Sequence, residues 1–79
     1  MTPEEWETTA QYLEWDAQVA REEPGPEALL YVCGQATQAL HRAEADWPAE
    51  LEPERRFACL RRLDRLGRRG VAAAMAARR

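Results

Sequence analysis

The five prolines of this chain divide it into three long segments that contain no proline in their interiors. Pro24 and Pro26 flank Gly25, and Pro48 directly follows Trp47. A proline in the interior of a helix costs about 3 kcal/mol relative to alanine, and it also removes a hydrogen-bond donor from a strand. Each segment between these interruptions is therefore predicted to form its own element of secondary structure.

The amino-acid composition favours helices for all three segments. The chain has 79 residues, lacks Ile altogether, and contains only three Val and four Thr, whereas Ala is its commonest residue. Strands prefer β-branched residues, and Ala is the best helix former. The sequence predicts an all-α protein: a small three-helix bundle with antiparallel neighbours, folded as a single helical domain over residues 1–79.

Local signals set the ends of the helices. Thr2 and Glu5 form the T-x-x-E pattern of a capping box, with Thr2 as the N-cap. Pro26 and Pro53 suit the first turns of the second and third helices. The helices are expected over residues of about 3–23, 26–46 and 53–78.

The apolar residues of the second and third helices each fall on one side of a helical wheel. On the second helix this side contains Leu29, Val32, Cys33, Ala36, Ala39, Leu40, Ala43 and Trp47; on the third it contains Cys59, Leu60, Leu63, Leu66, Gly67, Gly70 and Ala74. Gly67 and Gly70 each cost up to about 1 kcal/mol within a helix relative to Ala. The third helix is therefore expected either to bend or break at Gly67–Gly70, or to use the two glycines for close helix packing.

The first helix differs because it has two apolar stripes on opposite sides. The inner stripe is Trp6, Ala10, Leu13, Ala17 and Ala20, with the alternating spacing of a heptad seam. The second stripe, which we call the aromatic stripe, consists of Tyr12, Trp15 and Val19. A three-helix bundle buries one stripe, so the aromatic stripe is predicted to bind a partner. The alternative is that Tyr12 and Trp15 pack beneath the 48–52 loop or the end of the third helix.

Charge is distributed unevenly along the chain. Residues 1–49 contain ten acidic residues and two Arg, whereas residues 50–79 contain four acidic residues and nine Arg. Five arginines on the third helix form what we call the basic surface: Arg61, Arg62, Arg65, Arg68 and Arg69. This surface either is solvated and balanced by the acidic half, or binds an acidic protein or a second copy, or binds nucleic-acid phosphates. The net charge of −3 argues against the last of these.

A helix-turn-helix reading of the chain would place Arg55 and Arg56 at the start of a recognition helix. Three nearby acidic residues, Glu50, Glu52 and Glu54, would repel DNA phosphates. The sequence therefore gives this reading little support.

Catalytic and metal-binding patterns are scarce. The sequence has no Ser and a single His, and Cys33 lies two helical turns from His41, too far for a thiolate–imidazole pair. His41 and Glu44 give one H-x-x-E pattern, whereas helical di-iron sites need several carboxylates and two E-x-x-H motifs. No C-x-x-C and no glycine-rich phosphate loop is present. We expect no catalytic, cofactor or metal site, and buried thiols at both cysteines.

The sequence as a whole predicts a non-catalytic protein-binding module, an adaptor, inhibitor or small chaperone that acts by occlusion or scaffolding. The alternatives are a nucleic-acid-associated regulator that uses the basic surface, and a homodimeric structural subunit of a larger complex. The N-terminal residues are acidic and lack an apolar signal segment. The composition also lacks Lys, Asn and Ile, whose codons are AT-rich. We therefore expect a cytoplasmic protein without membrane contact, from a GC-rich bacterium or its phage.

Overall fold

A computed structural model describes residues 1–77 and shows three α-helices: α1 (Pro3–Ala20), α2 (Glu27–Asp46) and α3 (Pro53–Ala77). No strand occurs among these residues. The predicted all-α three-helix bundle is confirmed. The expected end of the third helix at residue 78 lies just outside the described residues.

The predicted capping box begins α1. The side-chain oxygen of Thr2 accepts a hydrogen bond from the Glu5 amide at 3.2 Å, and the Glu5 carboxylate accepts one from the Thr2 amide at 3.1 Å. The predicted C-terminal end of this helix was three residues too late, because α1 ends at Ala20. Pro24 disfavours helical geometry at the preceding residue, and the chain instead tightens into i→i+3 hydrogen bonds from the Glu22 and Glu23 amides.

The second and third helices begin and end close to the predicted positions. Pro26 is the N-cap of α2 rather than its first helical residue, and its carbonyl accepts a hydrogen bond from the Leu30 amide at 2.9 Å. Trp47 ends α2 in an extended conformation, as expected of a residue before proline. Gly25, between the first two helices, has φ +114°, a conformation that side chains disfavour.

No break occurs at Gly67–Gly70, because α3 continues as one helix through both residues. The glycines instead allow α3 to approach α2 closely. A Cβ atom at Gly67 would lie 2.5 Å from the hydroxyl of Thr37, and a Cβ atom at Gly70 would come into steric conflict with the Cβ of Cys33. Of the two predicted roles for these glycines, the structure shows close helix packing.

The core lies where the three predicted apolar faces meet. All five residues of the inner stripe of α1 are buried, and the first four of them pack with small residues of α2 and with Leu63 and Leu66 of α3. Two buried tryptophans satisfy their indole N–H groups: Trp6 donates to Asp46 and Trp47 donates to the Leu51 carbonyl, both at 2.7 Å.

Ion pairs between the first and third helices show the relative direction of the two helices. Arg55 pairs with Glu7, and Arg62, seven residues later, pairs with Glu14. The constant offset of 48 residues in both pairs means that α1 and α3 run parallel. The contact between Trp6 and Asp46 joins the start of α1 to the end of α2, so α2 runs antiparallel to both.

Candidate functional site

The aromatic stripe lies on the solvent side of α1. Tyr12 is 68% exposed, Trp15 70% and Val19 49%, whereas the opposite side of the same helix is buried against α2 and α3. The alternative in which Tyr12 and Trp15 pack beneath a loop or the end of α3 is wrong. The 48–52 loop instead lies against the end of α2, where its Leu51 carbonyl accepts the Trp47 hydrogen bond.

The outer face of α1 contains a shallow hollow beside the stripe. Thr8, Gln11, Tyr12 and Trp15 line this hollow of about 340 Å³. Because these residues recur at spacings of three and four, they form one continuous strip along the helix. The strip offers both apolar ring surface and the polar groups of Thr8 and Gln11.

A second, larger depression, which we call the α1–α2 groove, continues the surface from Trp15 onto the second helix. It has a volume of about 570 Å³. Trp15 and Val19 contribute from α1, and Tyr31 and Val32 contribute from α2, with the buried Ala20 between the helices. The small side chain of Ala20 leaves the space that the larger residues surround.

Sequence reasoning missed Tyr31, which is 70% exposed. Its hydroxyl accepts a hydrogen bond from Gln35 Nε2, one turn along α2, at 2.7 Å. The available signal was a large aromatic residue on the polar side of an otherwise simple amphipathic helix. A helical wheel of α2 alone does not show that this side of α2 faces the same groove as Trp15.

Three carboxylates line the α1–α2 groove: Asp16, Glu23 and Glu27. None of them forms an ion pair with another residue of the 1–77 segment. Three other carboxylates of α1, those of Glu4, Glu7 and Glu14, pair with arginines of α3. The groove therefore combines an apolar interior with uncompensated negative charge.

The five residues of the predicted basic surface have different environments. Arg62 pairs with Glu14 of α1, and the pKa of the Arg62 guanidinium is raised mainly by hydrogen bonding to that carboxylate. Arg68 pairs with Asp64 one turn earlier, at 2.9 Å. Arg61, Arg65 and Arg69 are exposed and form no ion pair within residues 1–77.

The two arginines that a helix-turn-helix protein would present to DNA are engaged inside the bundle. Arg55 donates hydrogen bonds to Glu7, Glu4 and Glu52. Arg56 donates to the carbonyls of Trp47 and Glu44, at 2.8 and 3.1 Å, and so satisfies acceptors at the end of α2. Their side chains hold the start of α3 against the other two helices.

A separate apolar hollow lies between α2 and α3. Leu40, Phe57 and Leu60 line it together with charged residues, and its volume is about 410 Å³. Phe57 is 65% exposed and was also missed from the sequence. The rim of this hollow carries both signs of charge, from Glu44, Asp64 and Arg61. The hollow therefore favours neither an acidic nor a basic partner.

The residues considered for chemistry do not converge. Cys33 and Cys59 are buried thiols, and burial raises the pKa of both. His41 lies on the exposed side of α2. Within residues 1–77, no three His, Cys, Asp or Glu side chains cluster in a way that could hold a metal ion.

Comparisons with known proteins found no matching protein family, no significantly similar curated sequence and no significantly similar solved structure. Across the described part of the chain, every helix is too short or too polar to cross a membrane.

Proposed function

We propose that this protein is a small helical protein-binding module that acts by occlusion or scaffolding, without catalysis. The exposure of Tyr12 and Trp15, on a helix whose opposite side is buried, carries the proposal. Trp and Tyr are among the residues that contribute most to binding energy at protein interfaces. Adaptors, inhibitors and small chaperones all work through a surface of this kind.

The stripe lies on a helix that packs into the core and forms ion pairs with α3. The inner stripe of α1 is buried, and Glu7 and Glu14 connect the helix to α3. A surface that is ordered before binding loses less conformational entropy on association. This preorganisation supports a role in recognition rather than in filling the core.

We place this activity in the cytoplasm of a GC-rich bacterium or in a cell infected by its phage. Cys33 and Cys59 are unpaired thiols, which suits a reducing compartment. The composition, which lacks Lys, Ile and Asn, supports a GC-rich gene.

The test begins with selection of binders from a random-peptide display library against the wild-type protein, followed by titration of the selected peptides. Trp15→Ala should weaken their binding by about 30-fold, which corresponds to about 2 kcal/mol. Arg65→Ala, which removes an exposed residue of the basic surface, should change the affinity by less than about threefold. Both side chains are exposed, so both variants should retain the wild-type circular dichroism spectrum.

Two rival functions predict different behaviour for these variants. A nucleic-acid regulator would bind a labelled oligonucleotide, with Arg65→Ala weakening it more than Trp15→Ala and with an affinity that falls steeply as salt rises. A homodimeric structural subunit would show twice the monomer mass by light scattering at high salt, and Trp15→Ala would dissociate it. Either result would overturn the proposal.

A further inference from the structure

We propose that the α1–α2 groove binds a basic amphipathic helix of a partner protein, with arginine or lysine side chains paired to Asp16, Glu23 and Glu27. This inference rests on the proposed protein-binding function and names the chemistry of the partner. The apolar side of the incoming helix would lie on Trp15, Val19 and Tyr31.

The charge around the groove favours a basic occupant. Its three carboxylates have no ion-pair partner within residues 1–77, whereas the arginines of α3 neutralise Glu7 and Glu14 on another side of α1. The three carboxylates that line the groove are therefore left for a basic partner. A basic partner would meet complementary charge there, and its approach would be accelerated by electrostatic steering.

The same charges disfavour a second copy docked symmetrically on this surface. A two-fold axis through the groove would bring the same acidic patch of both molecules together. Asp16, Glu23 and Glu27 of one molecule would then face carboxylates of the other, and like charges at an interface are unfavourable. The groove therefore selects a partner whose charge is opposite to its own.

The shape of the groove suits a helix. Asp16 lies on α1, Glu23 lies in the turn that follows α1, and Glu27 is the first residue of α2, so the three carboxylates border the groove from one helix to the next. A groove between two helices accepts the side-chain ridge of a third helix, and the described residues offer no sheet edge to which an extended peptide could add.

The exposed rings give a cation a second means of binding. Trp15 and Tyr31 both line the groove and are each 70% exposed. An arginine guanidinium can stack on a Trp or Tyr ring while it pairs with a nearby carboxylate. An acidic or purely apolar helix could use neither contact.

The test uses defined probes: a labelled 18-residue helical peptide with Leu on one face and Arg along both edges of that face, and the same peptide with Glu in place of Arg. Binding is measured by fluorescence anisotropy to the wild-type protein and to the triple variant Asp16→Asn, Glu23→Gln, Glu27→Gln. The matched control neutralises three exposed carboxylates at the opposite end of the bundle: Glu44→Gln, Glu50→Gln and Glu54→Gln. Both triple variants change the net charge by the same amount.

We expect the Arg peptide to bind and the Glu peptide not to bind. The groove variant should weaken binding by about tenfold or more, and the control by less than about threefold. Tyr31→Ala should also weaken it by about tenfold. Equal losses in the two triple variants would show non-specific attraction and overturn the inference, as would failure of the Arg peptide to bind.

Two further outcomes separate this inference from the proposed function. If Trp15→Ala weakens the display-selected peptides but the groove variant does not, the protein-binding function stands and the basic-helix partner is wrong. If Trp15→Ala has no effect on them, both fail. Sedimentation of the protein alone tests whether a second copy occupies the groove. A dimer that the groove variant dissociates would mean that the basic α3 of a second copy fills the groove, and this result would overturn the inference.

Discussion

The guanidinium of Arg62 on α3 donates a hydrogen bond from Nε to Oε2 of Glu14 on α1 at 3.1 Å. Seven residues earlier on both helices, Arg55 Nε donates in the same way to Glu7 Oε2 at 2.8 Å. The Arg62 side chain therefore binds another helix of the same molecule, although the helical wheel places Arg62 among the exposed arginines of the basic surface. The acidic and basic halves of the chain are thus partly paired with each other inside one molecule.

The pair between Arg62 and Glu14 is expected to contribute little to stability. The two side chains are 35% and 40% exposed, so water and salt screen the interaction. A double-mutant cycle with Glu14→Gln and Arg62→Gln should give a coupling energy of about 0.5 kcal/mol, reduced further in 1 M salt. Urea denaturation measures it. A coupling above about 2 kcal/mol would mean that the pair is far less solvated than its exposure indicates.

Gly70→Ala should destabilise the protein although alanine is the better helix former. The added Cβ would overlap the Cβ of Cys33, so α3 would have to move away from α2. We expect a loss of about 1–3 kcal/mol in the free energy of unfolding. Thermal and urea denaturation provide the measurement.

Gly34→Ala is the matched control for that substitution. Gly34 lies within α2, and a Cβ there would meet no atom within 4 Å. Alanine should therefore stabilise the protein at this position by up to about 1 kcal/mol. If both substitutions were stabilising, the close contact at Gly70 would not determine the distance between α2 and α3.

The stability that Glu7 provides should depend on pH. Hydrogen bonding from Arg55 lowers the pKa of Glu7 below its usual value of 4.5. The ionised carboxylate therefore contributes stability fully above pH 4.5, and this contribution is lost as the pH falls through the lower pKa of the folded state. The difference in unfolding free energy between wild type and Glu7→Gln should be largest near pH 7 and shrink below about pH 4.

A control variant separates this effect from general acid denaturation. Glu50 is exposed and forms no ion pair with the described residues. The wild-type protein and Glu50→Gln should lose stability in parallel as the pH falls. A constant difference between wild type and Glu7→Gln from pH 7 to pH 3 would contradict the link between Glu7 and Arg55.

Both thiols should be protected from modification in the folded protein. Cys33 and Cys59 are each 1% exposed, and burial raises the pKa of both, which lowers the fraction of reactive thiolate. Alkylation by iodoacetamide at pH 8 should be slower in the native protein than in denaturant by about 100-fold or more. Mass spectrometry of the labelled peptides measures each thiol separately. Rapid labelling of either cysteine under native conditions would contradict its place in the core.

Acrylamide quenching should separate the three tryptophans. Trp15 is 70% exposed, whereas Trp6 and Trp47 are 5% and 1% exposed. Trp15→Phe should remove most of the quenching seen in the wild-type protein, whereas Trp6→Phe should leave it nearly unchanged. Quenching that persists in Trp15→Phe would show that one of the core tryptophans is accessible.

The sequence was sufficient to predict those features that depend on residues close together in the chain. The capping box of Thr2 and Glu5 and the end of α2 at Trp47 involve only a few neighbouring residues. Helical periodicity likewise identified the inner stripe of α1, because apolar side chains three and four residues apart share one face. The aromatic stripe was identified in the same way, although its role as a binding surface stays a prediction.

The features decided by the tertiary structure involve two helices at once. Tyr31 belongs to the same groove as Trp15, and Gly70 meets Cys33, only because α2 takes one particular rotation and register. The pairing of Arg62 with Glu14 likewise requires α3 to lie parallel to α1. A helical wheel gives the angle of each side chain about its own axis and contains no information on how one axis is rotated or shifted against another. The sequence by itself therefore determined which faces are apolar, and packing of the three helices decided which charges are neutralised and where the groove lies.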